Sequence, residues 1–302
     1  MQDIESLNQQ YALTDAVTFG RGPNNTVMIS ITTPQASAQI CTYGAQVLSY
    51  KPTAASEYML FLSPQSAYGD GKAIRGGVPI CWPWFGDDPS GHGRPAHGFA
   101  RNQVWQVIDT RQQDDGTVSV SLQLLPTELS RQYWHCQFAL QFTVTIGDTL
   151  KMALTTENRD HESFVISQAL HTYFNIGDIE TLHLRGLDNY HYLDKTLNFA
   201  EKLQQGDVYF VAETDRIYLH SPDQLYIEDE VLNRRVIIES HGSQTTVVWN
   251  PWNKVVILKD MLNDAYQQFI CVETANAADD SIELAPGQSH TLIAEYRLRD
   301  RD

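Results

Sequence analysis

From Val27 onward, short apolar runs alternate with polar and turn residues, a period-two pattern that predicts β-strands and almost no helix. Segments 27–32, 38–43 and 46–50 open the series, and it resumes at 104–109, 118–124, 138–146 and 150–157. It continues at 163–170, 181–184, 190–193, 217–220, 225–228, 235–239, 246–249, 255–258, 269–273 and 291–296. Helical spacing is confined to one or two turns at 128–133. About 15 to 18 short strands with no repeat of fixed period predict an all-β chain, one large twisted antiparallel β-sandwich rather than a propeller. Residues 1–25 are polar, end in Gly20-Arg-Gly-Pro-Asn-Asn, and read as a lead-in to a single domain over 26–299.

One region breaks the alternation. Residues 51–103 hold six of the 12 prolines and eight of the 18 glycines. An irregular stretch of that length inside a compact domain points to a functional loop. Within it, Ala73-Ile-Arg-Gly-Gly-Val-Pro-Ile-Cys-Trp-Pro-Trp-Phe-Gly86 and Gly93-Arg-Pro-Ala-His-Gly-Phe-Ala-Arg101 bring together arginines, glycines, aromatics and His97. Glycine lets a backbone approach a ligand, aromatic faces stack on sugars or bases, and guanidinium forks grip carboxylate or phosphate. Two arginines, Arg75 and Arg101, together with His97, make this loop a candidate binding site rather than an aromatic cover over a sheet end.

Composition narrows the class. With 302 residues, 42% of them hydrophobic, the chain can bury a large core, and a net charge of −16 argues against nucleic acid or an anionic membrane as partner. Any anionic substrate would need local cations to overcome that field. Cys41, Cys81, Cys136 and Cys271 are scattered without a Cys-x-x-Cys pair, which predicts free thiols in a reducing compartment. No signal-peptide pattern and no run of about 18 apolar residues is present, so the expectation is a soluble, cytoplasmic monomer.

The chemistry-bearing residues are few. His171 follows the apolar segment 164–170 and is flanked by Tyr173 and Phe174; read alone it is either a packed core histidine or a proton carrier. Glu273 ends the apolar run Phe269-Ile-Cys-Val, where a carboxylate is either working or at a solvent-facing edge. Asp215 precedes a strand and fits a turn as readily as a site, and Trp249-Asn-Pro-Trp252 fits core and turn. Neither a Gly-x-x-x-x-Gly-Lys-Ser/Thr loop, a Gly-x-Gly-x-x-Gly opening a helix, nor a Gly-x-Ser-x-Gly elbow occurs, and His92 and His97 lack the company of a metal site. No cofactor and no metal is expected.

Taken together, six segments resemble a known family: Ile74-Arg-Gly-Gly-Val-Pro-Ile-Cys-Trp-Pro-Trp-Phe-Gly86, Ala96-His-Gly-Phe-Ala-Arg-Asn102, Ala169-Leu-His-Thr-Tyr-Phe174, Thr214-Asp-Arg-Ile-Tyr218, Val248-Trp-Asn-Pro251 and Val272-Glu-Thr274. They match, in order from about residue 25 to 298, the signatures of the glucose-6-phosphate 1-epimerases, hexose-6-phosphate mutarotases of the aldose 1-epimerase superfamily. The resemblance implies a galactose mutarotase-like sandwich with the sugar on the concave face of one sheet. It implies His171 and Glu273 as a general acid/base pair, Arg75 and Arg101 as substrate-binding arginines, Asp215 as a substrate contact and His97 as a further site histidine. The residue before that histidine, polar in some relatives, is Ala96 here. The implied mechanism has carboxylate Glu273 taking the C1 hydroxyl proton while protonated His171 donates to the ring oxygen. Two rivals stand beside it: a non-catalytic carbohydrate- or sugar-phosphate-binding sandwich, and a glycoside-cleaving enzyme using two carboxylates.

Overall fold

The computed structural model describes residues 3–301. Two large sheets face each other, and every strand pairing in them is antiparallel. In the eight-stranded sheet we number the strands β1 (Ile80–Cys81), β2 (Gln168–Leu170), β3 (Tyr173–Asn175), β4 (His191–Asp194), β5 (Ala200–Leu203), β6 (Thr214–Leu219), β7 (Thr245–Asn250) and β8 (Phe269–Asn276). Their order is β5-β4-β6-β7-β8-β2-β1, with β3 also pairing β8. The nine-stranded sheet centres on the long strands Phe138–Ile146, Thr149–Asn158, Arg234–His241 and Ser289–Asp300. Four strands between Val17 and Pro52 form a third sheet in sequence order.

Side-chain alternation divides the eight-stranded sheet into two faces. Leu170, Tyr218, Val248, Ile270 and Val272 join Met152, Leu154, Val236, Ile238, Leu292 and Tyr296 of the opposite sheet in one core. Hydroxyls also cross the layer, Ser240 to Thr274 at 2.7 Å and Thr172 to Tyr296 at 2.6 Å. The alternate residues face the other way. There Tyr173, Phe269 and Cys271 pack with Phe61, and Ala169, Ile217, Val247 and Ala275 pack with Cys81. This second face is covered by the 51–103 region, which meets the sheet through bridges such as Leu60 to Phe174. Strand β8 is therefore buried on both faces along its whole length.

The departures from the sequence pattern have local causes. Of residues 255–258, expected as a strand, 255–257 belong to a 3₁₀ turn, Trp252–Ile257, and Leu258 caps it. Pro251 has no N–H for a ladder, and the Asn250 side chain accepts from the Trp252 N–H at 2.8 Å to start the turn. The single strand expected at 163–170 is two. Phe164–Ile166 pairs with Ile282–Leu284, and β2 joins the large sheet. Between them Ser167 turns its groups to the loop: its N–H donates to the Pro83 carbonyl and its Oγ accepts from the Phe85 N–H. The lead-in carries a helix, Ile4–Tyr11, capped by Asp3, and a strand, Val17–Arg21, that pairs with Val27–Thr32. The described residues form 23 strands, several only two to four residues long and too short to register as alternation. All four cysteines are free, with Cys41, Cys81 and Cys271 buried and Cys136 partly exposed. Among the described residues no helix is long and apolar enough to cross a membrane.

Candidate active site

Three neighbouring strands present their outward residues to one cavity. Register pairs Val247 with Glu273 and Asp215 with Trp249, so β6, β7 and β8 place these four side chains on the same face. His171 sits where the chain steps from β2 to β3, and its N–H donates to the Pro79 carbonyl at 3.0 Å. The 51–103 region supplies the facing wall. Its approach depends on glycine: Gly77 has φ +60° and Gly98 has φ +71°, and a Cβ on either would collide with a carbonyl oxygen, that of Val47 or of Trp82.

The resulting cavity, about 270 Å³, is lined by Arg75, Phe85, His97, Arg101, His171, Lys195, Asp215, Val247, Trp249 and Glu273. All six residues singled out from the sequence line it. A larger cleft of about 420 Å³ lies elsewhere, around Tyr58, Phe61 and Leu262, and has Glu57 as its one charged lining residue. Size therefore does not mark the site; the convergence of charged groups does.

His171 and Glu273 face each other, with Nδ1 3.4 Å from Oε1. The alignment is not that of a hydrogen bond: His171 Nδ1 and Glu273 Oε2 are both buried without a partner among the described residues. The imidazole is held by stacking on Tyr173, with centroids 4.9 Å apart and planes 10° from parallel, and by the edge of Trp249. Burial pushes the His171 pKa well below the usual histidine value, and the standing charges of Arg101 and Arg75 push it further. Burial pushes Glu273 well above the usual carboxylate value; Lys195 and Arg101 oppose this and Asp215 adds to it. These directions favour a neutral histidine beside a protonated glutamate, whereas the mechanism that the resemblance implies starts from imidazolium and carboxylate.

The remaining polar groups divide into braced and free. Arg75 donates from Nε to Asp260 at 3.1 Å and from Nη1 to the Tyr173 hydroxyl at 3.1 Å. Asp215 pairs with Lys195 at 3.0 Å, while burial, the larger influence, raises its pKa. Arg101 donates from Nη2 to the Ala96 carbonyl at 2.9 Å, so that position contributes its backbone here. The Arg101 Nε is buried and has no partner among the described residues. His97 accepts from the Gly86 N–H at Nδ1, 3.3 Å away, which leaves its proton on Nε2 as a donor.

Burial, together with Arg101, Lys195 and Arg75, lowers the His97 pKa to about 3. His97 thus stays neutral from about pH 5 to pH 9. His97→Gln is expected to lower the rate without altering the shape of the pH–rate profile. A displaced acidic limb in the variant would contradict the neutral-donor role.

Lys195 is the site residue the sequence pattern did not reveal. It lies in a short turn after β4, positioned by Asp194, whose carboxylate caps Thr196 and binds Lys202. A single lysine in a polar turn carries no sequence signal; only the β4–β6 pairing brings it to Asp215.

The aldose 1-epimerase family model matches residues 27–297, nearly the whole chain. The chain belongs to the aldose 1-epimerase family. Within the family it is 39% identical over 254 residues to an Escherichia coli K12 protein carrying the provisional name glucose-6-phosphate 1-epimerase, covering 83% of this chain and 84% of that one. A Salmonella typhimurium protein of the same provisional name is 37% identical, covering 86% and 87%. The crystal structure of a provisionally assigned mutarotase from Salmonella typhimurium superposes with a TM-score of 0.89 at 34% identity, covering 96% of each chain. A galactose mutarotase-like protein from Lactobacillus casei, 16% identical with a TM-score of 0.71 over 90% of this chain and 100% of that one, shares the fold.

Proposed function

We propose that this epimerase interconverts the α and β anomers of a hexose 6-phosphate, with D-glucose 6-phosphate as the leading substrate. The observation that carries the reading is the apposition of His171 and Glu273 at 3.4 Å in a cavity whose walls also include Arg75, Arg101 and Lys195. An acid and a base suit the hemiacetal, and guanidinium groups in the same cavity suit the phosphate. The provisional name of the Escherichia coli and Salmonella relatives points to the same substrate.

Ring opening needs one proton removed from the C1 hydroxyl and one delivered to the ring oxygen. After rotation about C1–C2, closure on the other face returns both. The pair does this with a single exchangeable proton in total. Glu273 as carboxylate takes the C1 proton and His171 as imidazolium gives one to the ring oxygen, with the roles reversed on closure. Burial favours that proton on the glutamate side. A phosphate beside Arg75 and Arg101 offsets two of the charges that keep His171 neutral, which moves the proton towards the histidine in the loaded site. Asp215 is tied to Lys195, so it is not a free second carboxylate of the kind glycoside cleavage requires.

The test is to dissolve α-glucose 6-phosphate with catalytic enzyme and follow its anomeric proton by NMR. Equilibration well ahead of the spontaneous rate is expected; equilibration at the spontaneous rate would sink the proposal.

A further inference from the structure

A second cavity, about 390 Å³, abuts the first, and Phe85, His97 and Lys195 belong to the walls of both. Its other walls are Gly86, Asp87, Leu193, Phe199, Ile217 and Ala278. The backbone around it is unusual. Three of its non-glycine residues lie in the left-handed region, His97 at φ 63°, Phe199 at φ 60° and Ala278 at φ 53°. Only a few per cent of non-glycine residues adopt this region, and for a bulky side chain the conformation is costly. Strain of that kind persists only where the surroundings over-determine it, and it clusters at active sites and ligand clamps.

Phe199 makes the point sharply. It follows Asn198, itself at φ 54°, in the turn between β4 and β5, and leaves 53% of its surface exposed. Core packing does not explain an aromatic ring held outward at that cost. The neighbouring Leu197 is 54% exposed as well, so the turn is not folding its apolar groups inward. Across the cavity stands the Phe85 ring, with Lys195 Nζ 5.7 Å from its centroid at the border between the two spaces. Exposed Asp87 supplies a carboxylate that accepts hydrogen bonds.

We infer that this annex binds a second, uncharged sugar ring attached to the substrate, so that the enzyme takes glycosylated hexose 6-phosphates as well as hexose 6-phosphate. The inference rests on the epimerase reading of the adjoining cavity. Aromatic faces match the apolar C–H face of a pyranose, and a carboxylate at the rim matches its hydroxyls. The reducing ring would occupy the cavity of His171 and Glu273, and the linkage would pass Lys195, one of the three shared walls. A second phosphate has less to recommend it, since the annex offers one cation already paired with Asp215 and adds the carboxylate of Asp87.

The experiment compares glucose 6-phosphate with a reducing disaccharide, 4-O-glucosyl-glucose 6-phosphate bearing its phosphate on the reducing ring. Anomerisation is followed by NMR, and saturation transfer from protein to the non-reducing ring reads binding directly. Wild-type enzyme is expected to turn over both and to saturate the non-reducing ring. Phe199→Ala should lower kcat/KM for the disaccharide about three- to tenfold and leave glucose 6-phosphate within about twofold. Phe199→Gly should behave alike while its thermal midpoint stays level or rises, because glycine adopts this φ freely. Absence of saturation transfer to the non-reducing ring, or an equal loss on both substrates, overturns the annex. Failure to anomerise glucose 6-phosphate would instead overturn the epimerase reading, and the saturation-transfer measurement would still decide whether the annex holds a sugar.

Discussion

Glutamine in place of Glu273 is expected to lower turnover of hexose 6-phosphate by at least about 100-fold and to leave the fold at least as stable as before. The loss follows from removing the one group beside His171 that can accept and return the C1 proton. The stability effect has the opposite sign because Glu273, only 1% exposed, holds its proton in the folded state far above its ordinary value of 4.5. Above about pH 4.5 the unfolded chain releases that proton and the folded chain does not, so the residue costs stability increasingly as pH rises towards its folded pKa. Glutamine has no such cost. Its thermal midpoint should therefore exceed that of the wild type by more at about pH 8 than at about pH 5. A variant with wild-type turnover would remove Glu273 from the mechanism, and a midpoint difference shrinking with rising pH would contradict the burial argument. An active site that is destabilising in isolation is the expected companion of catalysis by buried ionisable groups.

Arg101→Ala is expected to raise KM for glucose 6-phosphate by roughly 10- to 100-fold and to change turnover on free glucose little, since a hydrogen bond to a charged group contributes about 1.5–3 kcal/mol. Arg101 is the group to test because its guanidinium meets a backbone carbonyl, that of Ala96, and no carboxylate among the described residues, whereas Arg75 is already engaged by Asp260 and Tyr173. The chain carries a net charge of −16, so a phosphate reaches the cavity against the overall field and is held by local cations. Wild-type KM should rise with salt, and Arg101→Ala should flatten that dependence. Equal losses on phosphorylated and free sugar would show that Arg101 supports the cavity rather than the phosphate.

Strand pairing was legible wherever a strand was long enough to alternate. Segments 118–124 and 138–146 are strands with those bounds, and each buries its alternate residues. Strand β5, Ala-Glu-Lys-Leu, has no apolar alternation because it is an exposed edge, and 255–258 reads apolar although Pro251 and Asn250 turn the chain before it. The helix Ile4–Tyr11 escaped notice because only Leu7 is buried. For the site, residue type and local company singled out six of the lining residues. Their apposition was beyond sequence, since 102 positions separate His171 from Glu273 and only the pairing of β2 and β3 with β8 brings them together. The direction of both proton affinities was equally invisible, because burial sets it.

The placement of these strands also decides which parts of the site can move. Glu273 lies on β8, between β7 and β2 and covered on both faces, so its amide should open to solvent exchange only with the global unfolding of the sheet. Lys195 and Phe199 ride on the β4–β5 hairpin at the sheet's edge, where exposed hydrogen bonds and few buried contacts keep local opening cheap. The proposed proton carrier Glu273 is thus expected among the slowest-exchanging amides, and Lys195 and Phe199 among the faster ones.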